Sequence, residues 1–301
     1  MERKRVIYIC GPTAAGKTAV AIALAQKLAC EIISFDSRQF YKELKIGAAP
    51  PNTEELAAAK HHFIGHLAVD DEWNAGEFAA AAEQKISALH ENYNDVILVG
   101  GSGLYMKALS EGFDDMPEIP PHFRETLNKE IQEYGLEKLQ EELKQKDPEY
   151  FEKVDQQNPQ RIIRALEVIR YSEGTFTAFR KGQTKKEHPY SEVKIGITLP
   201  RPELYERINL RVDKMMQAGL FDEVKALLPH QNLNALQTVG YKELFAHFEG
   251  TLTLDEAVEE IKKNSRRYAK RQLTWFRRDN EIVWFSPFET DTILNHLHET
   301  V

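Results

Sequence analysis

The chain of 301 residues is poor in cysteine and has no long apolar run, and each shortage excludes a class of protein. Its two cysteines, Cys10 and Cys30, are too few for a disulfide framework or a structural zinc site, so we expect reduced thiols. No stretch approaches the roughly 20 apolar residues that span a bilayer. The first apolar run, Val6–Cys10, is too short for the core of a secretion signal. These observations predict a cytoplasmic protein that has no membrane contact.

Positive charge is also in deficit, because 47 acidic residues outweigh 39 basic ones and give a formal net charge of −8. Averaged over the chain, this deficit argues against a polyanionic partner. The charges are unevenly spread, however. Eight basic residues and no acidic one lie between Ile261 and Arg278, and the stretch 158–190 has a net charge of +4. We therefore expect basic stripes on an acidic body, which restrict the faces that a nucleic acid can approach.

Apolar runs and helical patterns alternate over the first hundred residues. Strands are predicted at Val6–Cys10, Glu31–Asp36 and Val96–Val99, and helices at Thr18–Leu28 and Ala79–His90. Strands that are apolar throughout are typical of a parallel sheet buried on both faces. The predicted fold class is therefore α/β, a parallel sheet with helices on both faces.

A proline-rich stretch at 117–121 interrupts this alternation. Residues 123–171 that follow are helical in pattern and strongly charged, and they contain no strand-like run. Strand character returns at Glu192–Leu199. We interpret residues 117–189 as a helical insertion domain, and residues 1–116 and 190–301 as one core domain.

Two long helices and a strand are predicted in the C-terminal part. The first helix covers Glu203–Leu228, and the strand Ile282–Phe285 rejoins the sheet. The second helix begins at Thr253, which has the Thr-x-x-Glu spacing of a capping box. Helical spacing along this second helix favours a core position for the aromatic residues Tyr268 and Trp275, although stacking on RNA bases is an alternative.

The motif G-x-x-x-x-G-K-T follows the first predicted strand directly and opens the first predicted helix. In this context it predicts a phosphate-binding loop, because glycines let backbone N–H groups surround phosphate oxygens and the helix N-terminus adds its dipole. The lysine adds a point charge, and the threonine hydroxyl is placed to bind magnesium. A plain glycine turn before a helix is the structural alternative. The predicted diphosphate-binding residues are Gly11, Pro12, Thr13, Ala14, Ala15, Gly16, Lys17 and Thr18.

The carboxylate that a P-loop NTPase carries at the end of a later strand is missing here. Strand Val96–Val99 runs into the glycine-rich stretch 100–103, and the acid instead follows the second strand as Asp36. Both loops lie at the carboxyl ends of strands, where ligands bind in an open α/β sheet. Asp36 is then free to act as a base, or it is a turn or N-cap aspartate. The pattern favours a transferase with a diphosphate leaving group over a hydrolase.

Three arginines lie at the start of a predicted helix or inside it: Arg201, Arg207 and Arg211. The last two are four residues apart and share a helix face. One interpretation pairs them with Glu203 or Glu206 on a solvated surface. The other sends one or two of them into the cleft, where guanidinium groups would hold a departing pyrophosphate.

Together these motifs resemble those of the tRNA dimethylallyltransferases, also called tRNA isopentenyltransferases, over nearly the whole chain. The resemblance implies a P-loop NTPase-like core. It also implies transfer of a five-carbon dimethylallyl group from dimethylallyl diphosphate to the exocyclic amine of the adenosine immediately 3′ of the anticodon. The motifs that carry it are GPTAAGKT (11–18), DSRQ (36–39), HHF (61–63), GGSGLY (100–105), NPQRIIRALE (158–167), RINLRVDKMMQAGLFDEV (207–224), VGYKE (239–243) and YAKRQLTWFRR (268–278).

The sequence departs from the family's pattern at three places. At Gly65, after His61 and His62, the family usually has an aspartate. Ser102 stands where the family commonly has threonine, and the hydroxyl is retained. The loop Gly47–Pro50 lacks the hydroxyl and the ammonium group that the family usually has there, which leaves open whether this loop contacts ligand.

The resemblance also implies roles for single residues. Asp36, Ser102, Arg201 and Arg207 would be catalytic, with Asp36 receiving a proton from, or holding, the attacking amine, and the arginines stabilising the leaving pyrophosphate. Magnesium would be the cofactor, bound through Thr18. The adenosine is expected to leave its stack and enter a channel through the core domain. Contacts to the tRNA anticodon stem-loop are implied for Asp36, Ser37, Arg38, Gln39, Ser102, Arg124, Gln160, Arg161, Ile162, Ile163, Arg164, Gln237, Thr238, Val239, Gly240, Tyr241 and Lys242.

The basic stretch 261–278 fits an RNA partner, and we predict phosphate contacts by Lys270 and Arg271 in particular. Three other functions stay open: a P-loop small-molecule kinase, an enzyme that prenylates free adenine nucleotides, and an RNA-binding protein with a vestigial phosphate loop. The helical insertion and the basic helix favour a polynucleotide acceptor, while retention of Lys17, Thr18 and Asp36 favours an enzyme. We expect a monomer.

Overall fold

The computed structural model describes residues 4–180 and 186–300, and the chain divides into two compact units. Unit 1 is formed by residues 1–110 and 187–301, and unit 2 by residues 111–186. The insertion therefore begins and ends a few residues earlier than the predicted bounds of 117 and 189. Lys181 and Lys185, which belong to the predicted basic stretch 158–190, lie outside the described residues.

Unit 1 is built around one sheet in which every pair of neighbouring strands is parallel. Its order is β3-β2-β4-β1-β5-β6. The predicted α/β class with a parallel sheet is confirmed. The edge strand β3 was not predicted, because two residues are too few to show a strand pattern. The strands are Arg5–Cys10 (β1), Ile32–Ser34 (β2), His61–His62 (β3), Asp95–Gly100 (β4), Ser191–Ile197 (β5) and Val283–Phe285 (β6).

Helices account for most of the remaining described residues, and none of them is both long and apolar enough to cross a bilayer. In chain order they are Lys17–Leu28 (α1), Thr53–Ala58 (α2), Ala75–Leu89 (α3), Gly103–Ser110 (α4), Pro121–Tyr134 (α5), Leu136–Lys146 (α6), Pro148–Lys153 (α7), Pro159–Ser172 (α8), Phe176–Phe179 (α9), Arg201–Gln217 (α10), Leu220–Ala226 (α11), Tyr241–Phe248 (α12), Leu254–Phe276 (α13) and Thr290–Glu299 (α14).

The side chains of β1 alternate between two apolar cores, one on each face of the sheet. Val6, Tyr8 and Cys10 belong to a core to which α3, α4, α11, α12 and α13 contribute. Ile7 and Ile9 belong to the opposite core, to which α1, α10 and α14 contribute. Helices therefore cover both faces, and this arrangement explains why every β1 residue is buried.

The prediction of one continuous helix over Glu203–Leu228 is wrong. The structure has two helices there, α10 and α11, because Gly219 between them adopts a left-handed φ of +100°. Such a residue ends a helix, and glycine adopts this conformation without a steric penalty. The capping box at the start of α13 is confirmed: Thr253 Oγ1 accepts from the Glu256 N–H, and the Thr253 N–H donates to Glu256 Oε2.

Unit 2 is a helical unit, α5–α9, with its own apolar core. The motif that begins Asn158-Pro159 starts its central helix, α8: the Asn158 side chain accepts from the Arg161 N–H, and Pro159 occupies the first helical position. Ile162 and Ile163 follow at 0% and 2% exposure. This part of the motif is therefore explained by helix capping and core packing.

Candidate active site

The predicted phosphate loop connects β1 to the N-terminus of α1, as the motif requires. Gly11 has a φ of +142°, and a Cβ there would lie 2.2 Å from the carbonyl oxygen of Ile197 on β5. Gly16 has a φ of +93°, which turns the chain directly into the helix that begins at Lys17. Both glycines are thus required by the backbone. The resulting loop lies at a helix N-terminus, the usual position of a bound phosphate.

Lys17 extends over its own loop, where its Nζ donates to the carbonyl oxygen of Pro12 at 2.8 Å. Burial lowers the pKa of the Lys17 ammonium to about 8; the nearby carboxylate of Asp36 opposes this decrease, and the guanidinium of Arg211 adds to it. Burial also lowers the pKa of Arg211, and Asp36 again opposes the decrease. Lys17 and Arg211 thus lie close enough to Asp36 for its charge to act on both of them.

Asp36 lies in the loop after β2, which internal hydrogen bonds hold in place. Its Oδ1 accepts from the Arg38 N–H at 3.1 Å, and its own N–H donates to Ser34 Oγ at 3.2 Å. The next residue, Ser37, donates its N–H to Ser102 Oγ at 3.0 Å. Since β2, β4 and β1 are neighbours in the sheet, their carboxyl-end loops lie side by side. The structure thus brings together the predicted Asp36, Ser102 and the phosphate loop.

The glycines after β4 leave room for other side chains, which explains why this strand ends without a carboxylate. A Cβ on Gly100 would lie 2.5 Å from the Phe35 ring, and one on Gly103 would lie 2.2 Å from the Trp275 ring. At Gly101 the obstacle is the amide of Gln272 on α13, at 2.3 Å. Helix α13 therefore occupies the position in which a longer side chain after β4 would have to lie.

Gln272 itself was not predicted as a site residue. Its side chain is buried, at 6% exposure, and its amide connects the phosphate loop to the loop after β4. In the sequence, Gln272 is marked only by its place inside the motif 268–278. Because that motif also contains charged and aromatic residues, it does not single out Gln272.

The three predicted arginines of α10 have different surroundings. Arg201 is exposed, and its guanidinium lies 5.1 Å from the centroid of the Tyr205 ring. Arg207 pairs with Glu203 at 3.1 Å, and its Nη1 would lie 4.0 Å from a Cβ on Gly16, so it reaches the edge of the phosphate loop. Arg211 lies close enough to Lys17 and Asp36 for the charges to influence one another, and in the described part of the chain it has no hydrogen-bond or ion-pair partner. Of the three, Arg211 is thus the cation most directly available to a ligand.

Tyr268 is not the core residue that helical spacing suggested. Its side chain is 36% exposed, whereas the neighbouring Phe276 is buried at 2%. Burial of the hydroxyl end and the charge of Asp36 raise the pKa of Tyr268 to about 12, while the Arg38 cation opposes the increase. The guanidinium of Arg271 lies 5.7 Å from the centroid of the same ring. Tyr268 therefore stands beside Asp36 with part of its ring open to solvent.

The residues at 237–242 that are implied to contact tRNA differ in their solvent exposure. Gln237 and Lys242 are exposed, whereas Tyr241 is fully buried, and its hydroxyl donates to Glu223 Oε1 at 2.6 Å. In unit 2 the same division holds within the implied set: Arg124, Gln160 and Arg161 are exposed and Arg164 is partly exposed, but Ile162 and Ile163 lie in the core. The buried side chains cannot touch RNA in this conformation.

The basic residues of α13 have different partners, and in the middle of the helix Arg266 and Arg267 bond to the side chains of Asn209 and Asn264. Towards its start, Lys262 pairs with Asp213 and Glu259, and Lys263 pairs with Glu260. Towards its end, Lys270 and Arg271 are exposed, and within the described ranges no acidic partner is found for either. Acidic residues outside the stretch 261–278 thus neutralise part of its positive charge. The end that is not neutralised lies beside Tyr268.

Comparison with known proteins gives matches to one family over most of the chain. The family model described as IPP transferase matches residues 39–279. A tRNA dimethylallyltransferase of Christiangramia forsetii is 49% identical, over 93% of this chain and 92% of that protein. The tRNA dimethylallyltransferase 1 of Bacteroides fragilis is 44% identical over the whole of both chains. The crystal structure of the full-length tRNA isopentenylpyrophosphate transferase of Bacillus halodurans is similar with a TM-score of 0.72 and 36% identity, covering 99% of this chain and 95% of that one.

Proposed function

The chain belongs to the IPP transferase family, and from this premise we propose that it is a tRNA dimethylallyltransferase whose donor is dimethylallyl diphosphate. It transfers the dimethylallyl group to the exocyclic amine of the adenosine 3′ of the anticodon and releases pyrophosphate. The observation that carries the proposal is the meeting of Lys17, Arg211 and Asp36 beside the phosphate loop. Two cations suit a diphosphate, and a carboxylate next to them suits the acceptor amine.

The diphosphate is bound by the loop Gly11–Thr18, with its backbone N–H groups and the N-terminus of α1 facing the phosphate oxygens. Lys17 and Arg211 supply the positive charge, and Arg207 adds to it at the edge of the loop. Guanidinium groups suit this role because they can donate two parallel hydrogen bonds to phosphate oxygens. Arg201 is less suited to bind the diphosphate, since it is exposed and lies against Tyr205.

Magnesium fits this donor set as an ion held mainly by the substrate and by water. The Thr18 hydroxyl has no hydrogen-bond partner in the described part of the chain, and of the Asp36 oxygens only Oδ1 accepts a bond. Hard oxygen donors of this kind suit Mg²⁺, which usually takes one or two protein ligands and completes its shell with phosphate and water. When bound, the ion would neutralise charge that develops on the leaving diphosphate.

The chemistry is a displacement at the allylic carbon. The bond between this carbon and the diphosphate oxygen breaks, its electron pair stays on pyrophosphate, and the adenosine nitrogen forms the new bond to carbon. Asp36 takes the proton that the amine loses. Lys17, Arg207 and Arg211 stabilise the charge that grows on the leaving group, and this electrostatic effect is the main contribution of the protein. Because no water has to be activated in this reaction, a carboxylate at the end of β4 is not required.

The acceptor reaches Asp36 as a single unstacked base, because an amine inside a stacked anticodon loop could not approach a carboxylate in this position. Tyr268 presents a partly open ring beside Asp36, on which a base can stack. Lys270 and Arg271 follow on the same helix as unneutralised cations for the RNA backbone. We place this reaction in the cytoplasm and assign it to a monomer.

The test is incubation of the purified protein with dimethylallyl diphosphate, magnesium and tRNA that lacks the modification, followed by mass spectrometry of the digested RNA. Prenylated adenosine next to the anticodon is the expected product, and the variant Lys17→Ala should form far less of it. Faster prenylation of AMP than of tRNA would instead identify a free-nucleotide enzyme. Phosphorylation of a small molecule by ATP, without prenyl transfer, would identify a kinase, and tight RNA binding without turnover would identify an RNA-binding protein.

A further inference from the structure

Helix α8 of unit 2 carries one buried carboxylate among mostly apolar buried residues. Glu167 is 2% exposed, and its helix neighbours Leu166 and Val168 are fully buried. Burying a carboxylate is costly unless cations and hydrogen bonds compensate its charge. A residue of this kind is therefore understood through its partners.

The partners of Glu167 are two arginines. Arg124 on α5 donates from Nε to Oε1 at 2.5 Å and from Nη2 to Oε2 at 3.0 Å, which is a bidentate pairing. Arg164, one helical turn before Glu167, donates from Nη1 to Oε2 at 3.4 Å. Two guanidinium groups thus converge on one carboxylate, and the cluster keeps an excess positive charge.

The arginines are not enclosed as the carboxylate is. Their side chains are 47% and 41% exposed, against 3% for Glu167. A guanidinium has five N–H donors, and Glu167 uses two of those on Arg124 and one on Arg164. In the described part of the chain these groups have no other partner. Glu167 therefore fixes the inner edge of each guanidinium and leaves the outer donors free for an anion.

A second ion-pair cluster, which also includes residues of α5 and α8, differs in its solvent exposure and in its charge. Arg170 on α8 bonds to Glu130 on α5 and to Glu142 on α6, with two hydrogen bonds to each. Its side chain is only 20% exposed, and with Lys146, which also pairs with Glu142, the charges of the cluster balance. Arg170 therefore has the features of a residue that holds helices together. The cluster around Glu167 lacks these features, because its arginines are exposed and it has an excess of positive charge.

We propose that Glu167 is a positioning residue, which orients Arg124 and Arg164 as one clamp for a backbone phosphate of the RNA substrate. The inference rests on the proposed function, and it assigns a phosphate contact to a geometric unit of three residues. Fixing both guanidinium groups beforehand reduces the side-chain freedom that is lost when a phosphate binds. It also explains why a carboxylate lies next to a surface that binds a polyanion.

Glu167→Gln tests the proposal, because charge and geometry predict opposite results. The substitution keeps the size of the side chain and removes a negative charge, so attraction by charge alone would tighten RNA binding. Loss of the clamp geometry should instead weaken it, by about tenfold or more for one hydrogen bond between charged groups. We expect a weaker Kd for an anticodon stem-loop, a higher KM for tRNA, and an unchanged kcat and KM for dimethylallyl diphosphate.

The matched control is Glu130→Gln, which breaks a bond between the same two helices, α5 and α8, and removes the same charge. It should lower the melting temperature without weakening RNA binding. Glu167→Asp should recover part of the lost affinity, because it restores the charge but shortens the reach. If Glu167→Gln does not fold, the pair Arg124→Lys and Arg164→Lys takes its place. Lysine keeps the charge but cannot pair in bidentate fashion, so RNA affinity should fall in both variants.

Stem-loop binding is measured by fluorescence anisotropy, which needs no catalysis. Equal or tighter binding by Glu167→Gln, or equal losses for Glu167→Gln and Glu130→Gln, overturns the clamp while leaving the enzyme assignment intact. A parent protein that binds the stem-loop but forms no prenylated adenosine overturns the proposed function instead, and the binding series still decides the clamp. A parent protein that does not bind the stem-loop overturns both.

Discussion

The backbone N–H of Thr13 donates to Oε1 of Gln272 at 2.9 Å. The other end of the same amide, Nε2, donates to the carbonyl oxygen of Gly101, also at 2.9 Å. One buried side chain on α13 therefore joins the phosphate loop to the loop after β4. Because Ser102 follows Gly101 and accepts a hydrogen bond from the N–H of Ser37 in the Asp36 loop, this bridge fixes the spacing between the phosphate loop and Asp36.

Gln272→Met should lower kcat/KM for dimethylallyl diphosphate by about tenfold, because it removes both hydrogen bonds that hold the phosphate loop against the loop after β4, at about 0.5–1.5 kcal/mol each. Methionine has nearly the same length, so packing against Gly101 is largely kept. The measurement is steady-state kinetics with each substrate varied in turn. Thr274→Val on the same helix is the control, since it removes only an exposed hydrogen bond to the Lys270 carbonyl. Parent-like kinetics for Gln272→Met would show that the bridge has no role in positioning.

Much of this site could be predicted from the sequence because its main parts are local. The phosphate loop is eight consecutive residues between a strand and a helix, and Asp36 directly follows an apolar strand. Parallel strands place such loops at one edge of the sheet, so the meeting of Asp36, Ser102 and Lys17 follows from the fold class. The Thr253 capping box was visible for the same reason, since it spans only four residues.

The parts that could not be predicted depend on contacts between distant segments. Which amide of α13 lies over Gly101 is decided by how that helix packs, and no local pattern encodes it. Spacing placed Arg207 and Arg211 on one face, but only the packing of α10 brings Arg211 close enough to Asp36 for their charges to interact. The charge of α13 likewise cannot be read from its own residues, because Asp213 of α10 neutralises Lys262.

Asp36→Asn should reduce kcat by about 10²- to 10⁴-fold, the range expected when a general base is lost. Asparagine keeps the Oδ1 acceptor for the Arg38 N–H, so the loop after β2 should keep its shape. The Kd for the anticodon stem-loop should therefore change little. Single-turnover kinetics with saturating tRNA give the rate of the chemical step. A large loss of RNA affinity together with normal turnover would contradict the assignment of Asp36 as the base.

Arg211→Met should weaken binding of inorganic pyrophosphate far more than Arg201→Met does. The charge of Arg211 interacts with those of Lys17 and Asp36, and Arg211 has no partner of its own in the described residues, whereas Arg201 is exposed beside Tyr205. A lost hydrogen bond between charged groups costs about 1.5–3 kcal/mol, so we expect roughly a 10- to 150-fold higher Kd for Arg211→Met. Isothermal calorimetry measures both values. The reverse order would return the leaving-group role to Arg201.

Binding of pyrophosphate should take up a proton when the pH exceeds about 8. Burial lowers the pKa of Lys17 to about 8, so the free protein loses this charge as the pH rises through that value. A bound diphosphate favours the ammonium form and raises the pKa again, which requires a proton from the solvent. The Cys10 thiol nearby does not interfere, because burial raises its pKa to about 12.

Calorimetry at pH 8.5–9 in buffers of different ionisation enthalpy measures this uptake. The variant Lys17→Arg, which stays charged in this range, corrects for protons that pyrophosphate itself exchanges. Equal uptake by the two proteins would show that Lys17 is already protonated in the free state.

The exposed end of α13 should contribute to tRNA binding, whereas its neutralised start should not. Lys270→Gln and Arg271→Gln together should reduce the slope of log Kd against log salt by roughly one unit for each lost phosphate contact. Lys262→Gln and Lys263→Gln, on the same helix, remove the same charge but act on cations already paired with Asp213, Glu259 and Glu260. The slope should therefore stay close to that of the parent protein in this second pair. Similar slopes for both pairs would mean that tRNA responds to the net charge of the helix, so that the position of each cation along α13 would not matter.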